Sequence, residues 1–190
     1  MRKITMLNHV SIDGYFASLN QMTGGMDWFV HDPKVDEYVH SFGESDALIL
    51  GDITYKMFQS SWVPILNDPN ADPGLKKFAQ ELTDMKKIVF SKDLKESDWA
   101  NSEFHDGNIT DVVRKLKEGD GKEIMVMGSG TIVQQLTNEH LIDEYMFIMT
   151  PVIAGEGKPL FKDVKQLGLK LIDVKPFDSG NVVMRYEVGK

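Results

Sequence analysis

Short apolar runs alternate with helical stripes along most of this chain. Ile4 to Val10 is β-branched and apolar, which predicts a first strand. It runs into Ser11-Ile12-Asp13-Gly14, where Asp-Gly breaks the strand and Gly14 permits a positive φ. Ser18 to Asp27 is polar and holds Gly24-Gly25, the composition of a surface loop. Asp32-Pro33 reads as an N-cap followed by proline at the first helical position. Val35, Tyr38, Val39 and Phe42 then recur at i, i+3, i+4 and i+7, and Gly43 ends the helix. Ala47 to Leu50 predicts a second strand, turning through Gly51-Asp52 into a helix that carries Ile53, Met57 and Phe58. Pro64 to Pro73 reads as a loop. Asp72-Pro73 repeats the capping signal ahead of the stripe Leu75, Phe78, Ala79 and Leu82.

Lys87 to Ser91 predicts a strand, and Thr110-Asp111 a cap for a helix with Val112, Val113 and Leu116 inward. Glu123 to Leu136 is the most informative stretch. Ile124 to Met127 are all apolar, as in a strand covered on both faces. Gly128-Ser129-Gly130-Thr131 then turns into a helix with Ile132, Val133 and Leu136 on one side; Ser129 and Thr131 are both candidate caps. Free N–H groups at such a helix start suit a phosphate, although a tight turn without a ligand gives the same pattern. Tyr145 to Pro151 is another apolar strand leading to Gly155-Glu156-Gly157. Leu169–Val174 and Val182–Val188, separated by Asp178-Ser179-Gly180-Asn181, predict an antiparallel hairpin.

Strands alternating with helices, followed by strands alone, predict an α/β fold: a mostly parallel sheet flanked by helices, with an antiparallel C-terminal hairpin. Composition shows no break across residues 1–190, which predicts one domain. The net charge of −8 argues against nucleic-acid and anionic-membrane partners. The chain has no cysteine, which excludes disulfides, thiolate metal sites and a cysteine nucleophile. The five histidines lack metal-ligand spacing, so no metal is expected. The apolar stretch after Arg2 and Lys3 is broken by Asn8, His9 and Asp13, so no secretion signal is expected; no apolar run reaches membrane-spanning length, and the expected location is cytoplasmic.

Three predicted strand ends carry small or polar residues: after Leu50, after Phe90 and after Met127. In open α/β sheets, ligands bind outside the carboxyl ends of strands. Lys92 is there either a phosphate contact or a solvated loop lysine. Asp13 ends the first strand on the same edge, as a catalytic carboxylate or as a turn-forming Asp before Gly.

The order of five pieces resembles the dihydrofolate-reductase-like fold, and within it the reductase domain of the riboflavin-biosynthesis deaminase-reductase. The pieces are Ser11-Ile12-Asp13-Gly14, Leu48 to Tyr55, Lys87 to Ser91, the strand ending in Gly128-Ser129-Gly130, and Leu141 to Phe161 with Gly155-Glu156-Gly157-Lys158-Pro159. This resemblance implies an NADPH-dependent oxidoreductase. Gly51 and Thr54 would hold part of the pyrophosphate and Gly128, Ser129, Gly130 and Thr131 the rest. Ser91 and Lys92 would lie near the adenosine ribose and its 2′-phosphate. Asp13, as the catalytic residue, would face substrate and nicotinamide together with Gly155 and Gly157. The implied substrate is a small nitrogen heterocycle or its ribosylamino side chain, of the kind reduced by 5-amino-6-(5-phosphoribosylamino)uracil reductase. A dihydrofolate or pteridine reductase is the second reading, and a non-catalytic nucleotide-binding protein of the same fold the third. Asp52 stands where the family often has Arg. Asp36 and Glu37 lie on the helix that carries the pteridine carboxylate of dihydrofolate reductases, but off its apolar stripe. The resemblance also implies a homodimer, with Val182–Val188 as an apolar edge to be covered.

Overall fold

The computed structural model describes residues 1–189. In chain order its elements are β1 (Ile4–Val10), β2 (Tyr15–Ala17), α1 (Pro33–His40), β3 (Ser45–Gly51), α2 (Asp52–Asn67), α3 (Pro73–Asp84), β4 (Lys86–Phe90), β5 (Ser102–His105), α4 (Ile109–Glu118), β6 (Glu123–Met127), α5 (Gly130–Asn138), β7 (Glu144–Met149), β8 (Lys158–Pro159), β9 (Leu169–Pro176) and β10 (Val182–Val188). Eight strands form one sheet in the order β5-β4-β3-β6-β1-β7-β10-β9. The first six run parallel, and β10 and β9 are antiparallel additions at one edge. The expected α/β architecture is therefore present, its hairpin included. A separate two-stranded ladder, β2 with β8, lies outside the main sheet.

Alternation along the central strands sets the two faces. Ile4, Met6, Val10, Ile49 and Val126 face α4 and α5, packing on Val113, Ile132, Val133 and Leu136. On the other face Leu7 and Ile148 meet Val35 and Val39 of α1, while Leu48, Leu50 and Val89 meet Tyr55 of α2 and Leu82 of α3. The caps read from the sequence at α1 and α3 are formed: Asp32 accepts from the Lys34 N–H, and Asp72 from those of Gly74 and Leu75.

Several expectations change. Helix α2 runs through Pro64 to Asn67, because Phe58, Trp62 and Val63 extend its apolar face onto the core and outweigh the lost backbone bond. On α2, Tyr55 is the buried residue and Ile53 points outward. Asn108, not Thr110 or Asp111, caps α4 by accepting from the Thr110 N–H. Strand β5 is short, polar and at an edge, and pairs with β4 from Lys87 to Phe90. The open edge beside the hairpin is β9; β10 lies between β7 and β9. Lys87 is fully buried and donates to the carbonyls of Leu82, Thr83 and Met85 at 2.8–2.9 Å, closing the C-terminus of α3 with its ammonium 4.6 Å from the Trp99 ring centre. Burial draws its pKa down to about 8, against the pull of Asp84.

Candidate active site

Adjacent strands β3 and β6 send their following helices to opposite faces, α2 to one and α5 to the other. A crevice therefore opens above their carboxyl ends, where ligands of open α/β sheets bind. The two turns that border it interlock. A Cβ on Gly51 would lie 2.8 Å from Ser129 Oγ, and a Cβ on Gly128 would lie 2.5 Å from Thr54 Oγ1. Gly128 also has φ +65°, a conformation that penalises any side chain. Gly128 is thus required by Thr54 and by its own backbone, and Gly51 is packed close against Ser129, whatever binds above them. Gly130 is as tight, with Phe16 of β2 2.7 Å from its Cβ position.

Ser129 sits at the N-cap of α5 with φ 51°, and its side chain makes no capping bond. Its carbonyl accepts from Ile132 and Val133. The N–H groups of Ser129, Gly130 and Thr131 find no acceptor among the described residues. Neighbouring N–H donors at the positive end of a helix make a seat for an anion. Asn8, buried at the end of β1, accepts from the Gly128 N–H at 3.0 Å and fixes the turn. The sequence reading missed this residue. Its signal was a polar side chain in the carboxyl half of a mostly apolar strand.

Asp52, in the first turn of α2, accepts from the Ile53 N–H at 2.9 Å and lies 3.8 Å from Lys56. Its charge is engaged along its own helix. One strand further out, Ser91 is buried and accepts from the N–H groups of Asp93 and Leu94, which orders the loop after β4. Lys92 in that loop is exposed.

Asp13 lies on the other side of the crevice, past the end of β1. It accepts from Ser11 Oγ at 2.6 Å, the Gly155 N–H at 2.8 Å and the Ala154 N–H at 3.0 Å. These donors, the Ser11 hydroxyl foremost, hold its carboxyl at about 2. Asp13 is thus an anion that pins residues 154–155 to the β1 turn. The Ile12 N–H, donating to the Val152 carbonyl, joins the same two segments. Gly157 is held close as well: a Cβ there would lie 2.7 Å from the Ala17 carbonyl, while Gly155 faces open space. The structure therefore gathers Gly51, Thr54 and Gly128 to Thr131 at one crevice, and Asp13 with Gly155 and Gly157 in a neighbouring clasp.

Asp36 is half-buried near His31, and burial raises its pKa; Glu37 is exposed. No group of three or more His, Asp or Glu able to hold a metal occurs among the described residues, and no described helix is long and apolar enough to cross a membrane. A groove of about 470 Å³ between α1 and the β9–β10 turn lies away from the glycine turns.

Among curated proteins, the Bacillus subtilis protein YyaP, itself uncharacterised, is 32% identical over 186 residues, covering 97% of this chain and 94% of YyaP. Among solved structures, a putative riboflavin biosynthesis protein from Shewanella sp. PV-4 superposes with TM-score 0.70 at 20% identity, covering 99% of both chains. The Thermotoga maritima diaminohydroxyphosphoribosylaminopyrimidine deaminase/5-amino-6-(5-phosphoribosylamino)uracil reductase superposes with TM-score 0.66 at 15% identity, over 99% of this chain and 57% of that one. A dihydrofolate reductase from Enterococcus faecalis, complexed with NADP(H), gives TM-score 0.64 at 12% identity, over 99% of this chain and 97% of that one. These structural likenesses establish the dihydrofolate-reductase-like fold. With residues 2–183 matching the model of the RibD C-terminal domain, the chain belongs to that family.

Proposed function

We propose that the protein is an NADPH-dependent oxidoreductase that reduces a small nitrogen heterocycle or its ribosylamino side chain. The observation that carries this reading is the row of N–H groups on Ser129, Gly130 and Thr131, without an acceptor among the described residues, beside Gly51 and Thr54 across the crevice. The residues fit a dinucleotide. Two helix N-termini bring donors and partial positive charge to one place, and glycine backbones keep side chains out of it. In this reading Gly51, Thr54 and Gly128 to Thr131 hold the pyrophosphate, and Ser91 and Lys92 lie toward the adenosine ribose and its 2′-phosphate.

The nicotinamide, when bound, supplies the hydride. The chain's own share is binding, orientation and exclusion of water. Asp13 is a positioning residue in this scheme. Its oxygens already accept three hydrogen bonds and its carboxyl is ionised at neutral pH, so it shapes the 154–157 loop against the substrate and carries no proton to it.

Thermal melts with millimolar NADPH and NADH test the cofactor. A ligand bound only by the native state stabilises by about 2.7 kcal/mol at a hundredfold excess over Kd. No shift with either nucleotide would overturn the reading. Saturable NADPH oxidation with a pyrimidine or pteridine substrate separates an enzyme from a non-catalytic nucleotide binder, and inhibition by an antifolate would favour a pteridine reductase.

A further inference from the structure

Helix α5 carries two stripes. Ile132, Val133 and Leu136 turn inward and belong to the core. Gly130, Gln134 and Asn138 recur at i, i+4 and i+8, so they share a second face of the helix. That face fastens the return loop after β7. Gln134 Nε2 donates to the carbonyl of Leu160 at 2.9 Å and to that of Pro159 at 3.2 Å. Asn138 Nδ2 donates to the Asp163 carbonyl at 3.1 Å, and its Oδ1 accepts from the Lys165 N–H at 2.9 Å. Among the described residues, the side-chain hydrogen bonds made to residues 159–165 all come from these two side chains. Asp163 has φ 57°, a left-handed conformation that a free chain leaves, so these fastenings hold the loop in shape.

The near end of the same loop is tied to the turn after β1, where Asp13 holds the N–H groups of Ala154 and Gly155. The Leu160 N–H donates to the Gly14 carbonyl at 3.1 Å, and the Leu160 side chain is buried in the core that α5 covers. That turn and β2 rest on α5 in their turn. A Cβ on Gly130 would lie 2.7 Å from Phe16 Cε1 and 3.4 Å from Gln134 Nε2. The amino end of α5, the Asp13 clasp and residues 154–165 are therefore joined side chain to backbone without a gap. Gly130 also belongs to the nucleotide seat, through an N–H that has no acceptor among the described residues. An anion accepting there is held only while the first turn of α5 is formed, so it favours that turn and whatever is fastened to it.

We propose that α5 couples the two halves of the site, with Gln134 as the positioning residue. A nucleotide on the seat fixes residues 154–165, and a substrate held by that loop tightens the nucleotide in return, since coupling between two sites is reciprocal. Gln134 touches neither ligand in this scheme. It acts through the Pro159 and Leu160 carbonyls, one helical turn from Gly130. The proposal rests on the nucleotide reading of the α5 seat and deepens it by naming the residue through which one ligand prepares the place of the other.

The test is hydrogen exchange of the full chain, read by peptide mass over residues 154–165. It is measured without ligand, with saturating NADPH, and with millimolar inorganic pyrophosphate, which needs only the seat. Each ligand is expected to slow exchange across 154–165 by about fivefold or more, the low end of ordinary coupling between sites. In Gln134→Ala and Gln134→Glu, which both lose the two donated bonds, exchange there is expected to be fast and to ignore either ligand. Gln135→Ala, at an exposed neighbour off this face, is expected to behave as the parent. A side chain that merely props the loop would raise exchange by one factor with and without ligand, so ligand protection that persists in both Gln134 variants overturns the proposal. NADPH that raises the melting temperature yet leaves 154–165 unprotected also overturns it, and the cofactor reading then stands. If NADPH gives no melting shift, the cofactor reading falls and pyrophosphate decides: protection of 154–165 sustains the coupling, and its absence ends it.

Discussion

Gly128→Ala is the sharpest probe of the crevice. The glycine has φ +65°, and left-handed backbone costs an ordinary residue about 1–2 kcal/mol. The new methyl would also stand 2.5 Å from Thr54 Oγ1 and 2.9 Å from Thr54 Cγ2. Thr54 is β-branched and in the first turn of α2, so rotating it exchanges one clash for another. Overpacking of this kind costs about 1–3 kcal/mol. The sum is about 3 kcal/mol, which lowers the Tm of a chain this size by about 6–12 °C. Thr54→Ala removes both clashing atoms and leaves the backbone strain. The double variant should therefore recover the packing part, giving a coupling of about 1–2 kcal/mol in a double-mutant cycle measured by chemical denaturation. Additivity within about 0.5 kcal/mol would show that the two turns do not interlock as described. NADPH affinity measured on the same four proteins separates effects on the cofactor from effects on the fold. A parent-like Kd in Gly128→Ala would make this glycine a packing requirement alone.

Three further outcomes are expected. His9 has its folded pKa lowered from 6.5 to about 4, so the unfolded chain binds the proton first as pH falls; stability is full above about pH 6.5 and drops by about 3 kcal/mol toward pH 4. Denaturation at pH 7 and pH 4.5 should show this, and His9→Phe should remove that share of the slope; an unchanged slope would mean that His9 titrates normally. In the proposed reading, with Asp52 engaged by the Ile53 N–H and Lys56, Lys92 is the cation assigned to the 2′-phosphate, which predicts a weak NADPH preference of roughly tenfold, about 1.4 kcal/mol. Lys92→Ala should narrow that ratio of dissociation constants, and an untouched ratio would move the adenosine end elsewhere. Leu169, Leu171, Ile172 and Val174 are exposed on the open strand β9, where Lys170 pairs with Glu187 and Asp173 accepts from the Tyr38 hydroxyl, so a homodimer is expected to form across that edge. Light scattering at micromolar concentration should give a dimer for the parent and a monomer for Ile172→Lys/Val174→Lys, whereas a monomeric parent would refute it.

What the sequence made legible follows from how local each signal was. Asp32-Pro33 and Asp72-Pro73 cap helices through bonds two or three residues away, and both were readable. The glycine turn after β6 was readable for the same reason. Pro64 misled because its local cost is overridden by Trp62 and Val63 packing on a distant core. Ser102–His105 carries one apolar residue in four, since an edge strand gains its stability from the β4 backbone. In the candidate site, glycine spacing pointed to the crevice, but the reason for Gly51 and Gly128 lies in Ser129 and Thr54, far away in sequence. The three bonds to Asp13 join residues more than a hundred positions apart, except for that from Ser11, and no local pattern encodes them. The buried polar atoms of His9, Thr150 and Asn181 that lack a partner among the described residues become visible only when three strands are side by side.

The buried ammonium of Lys87 gives the protein a built-in recorder of its own unfolding. Amine-reactive reagents modify the free base of a lysine that solvent can reach, and this one is sealed behind three carbonyls and an indole. Exposed lysines such as Lys92 will label at once, while Lys87 must wait until α3 separates from β4. Its labelling rate in native buffer, read by peptide mass, therefore counts the openings of that half of the sheet. The same count taken with and without a nucleotide would report how firmly a ligand at the crevice holds the helices together.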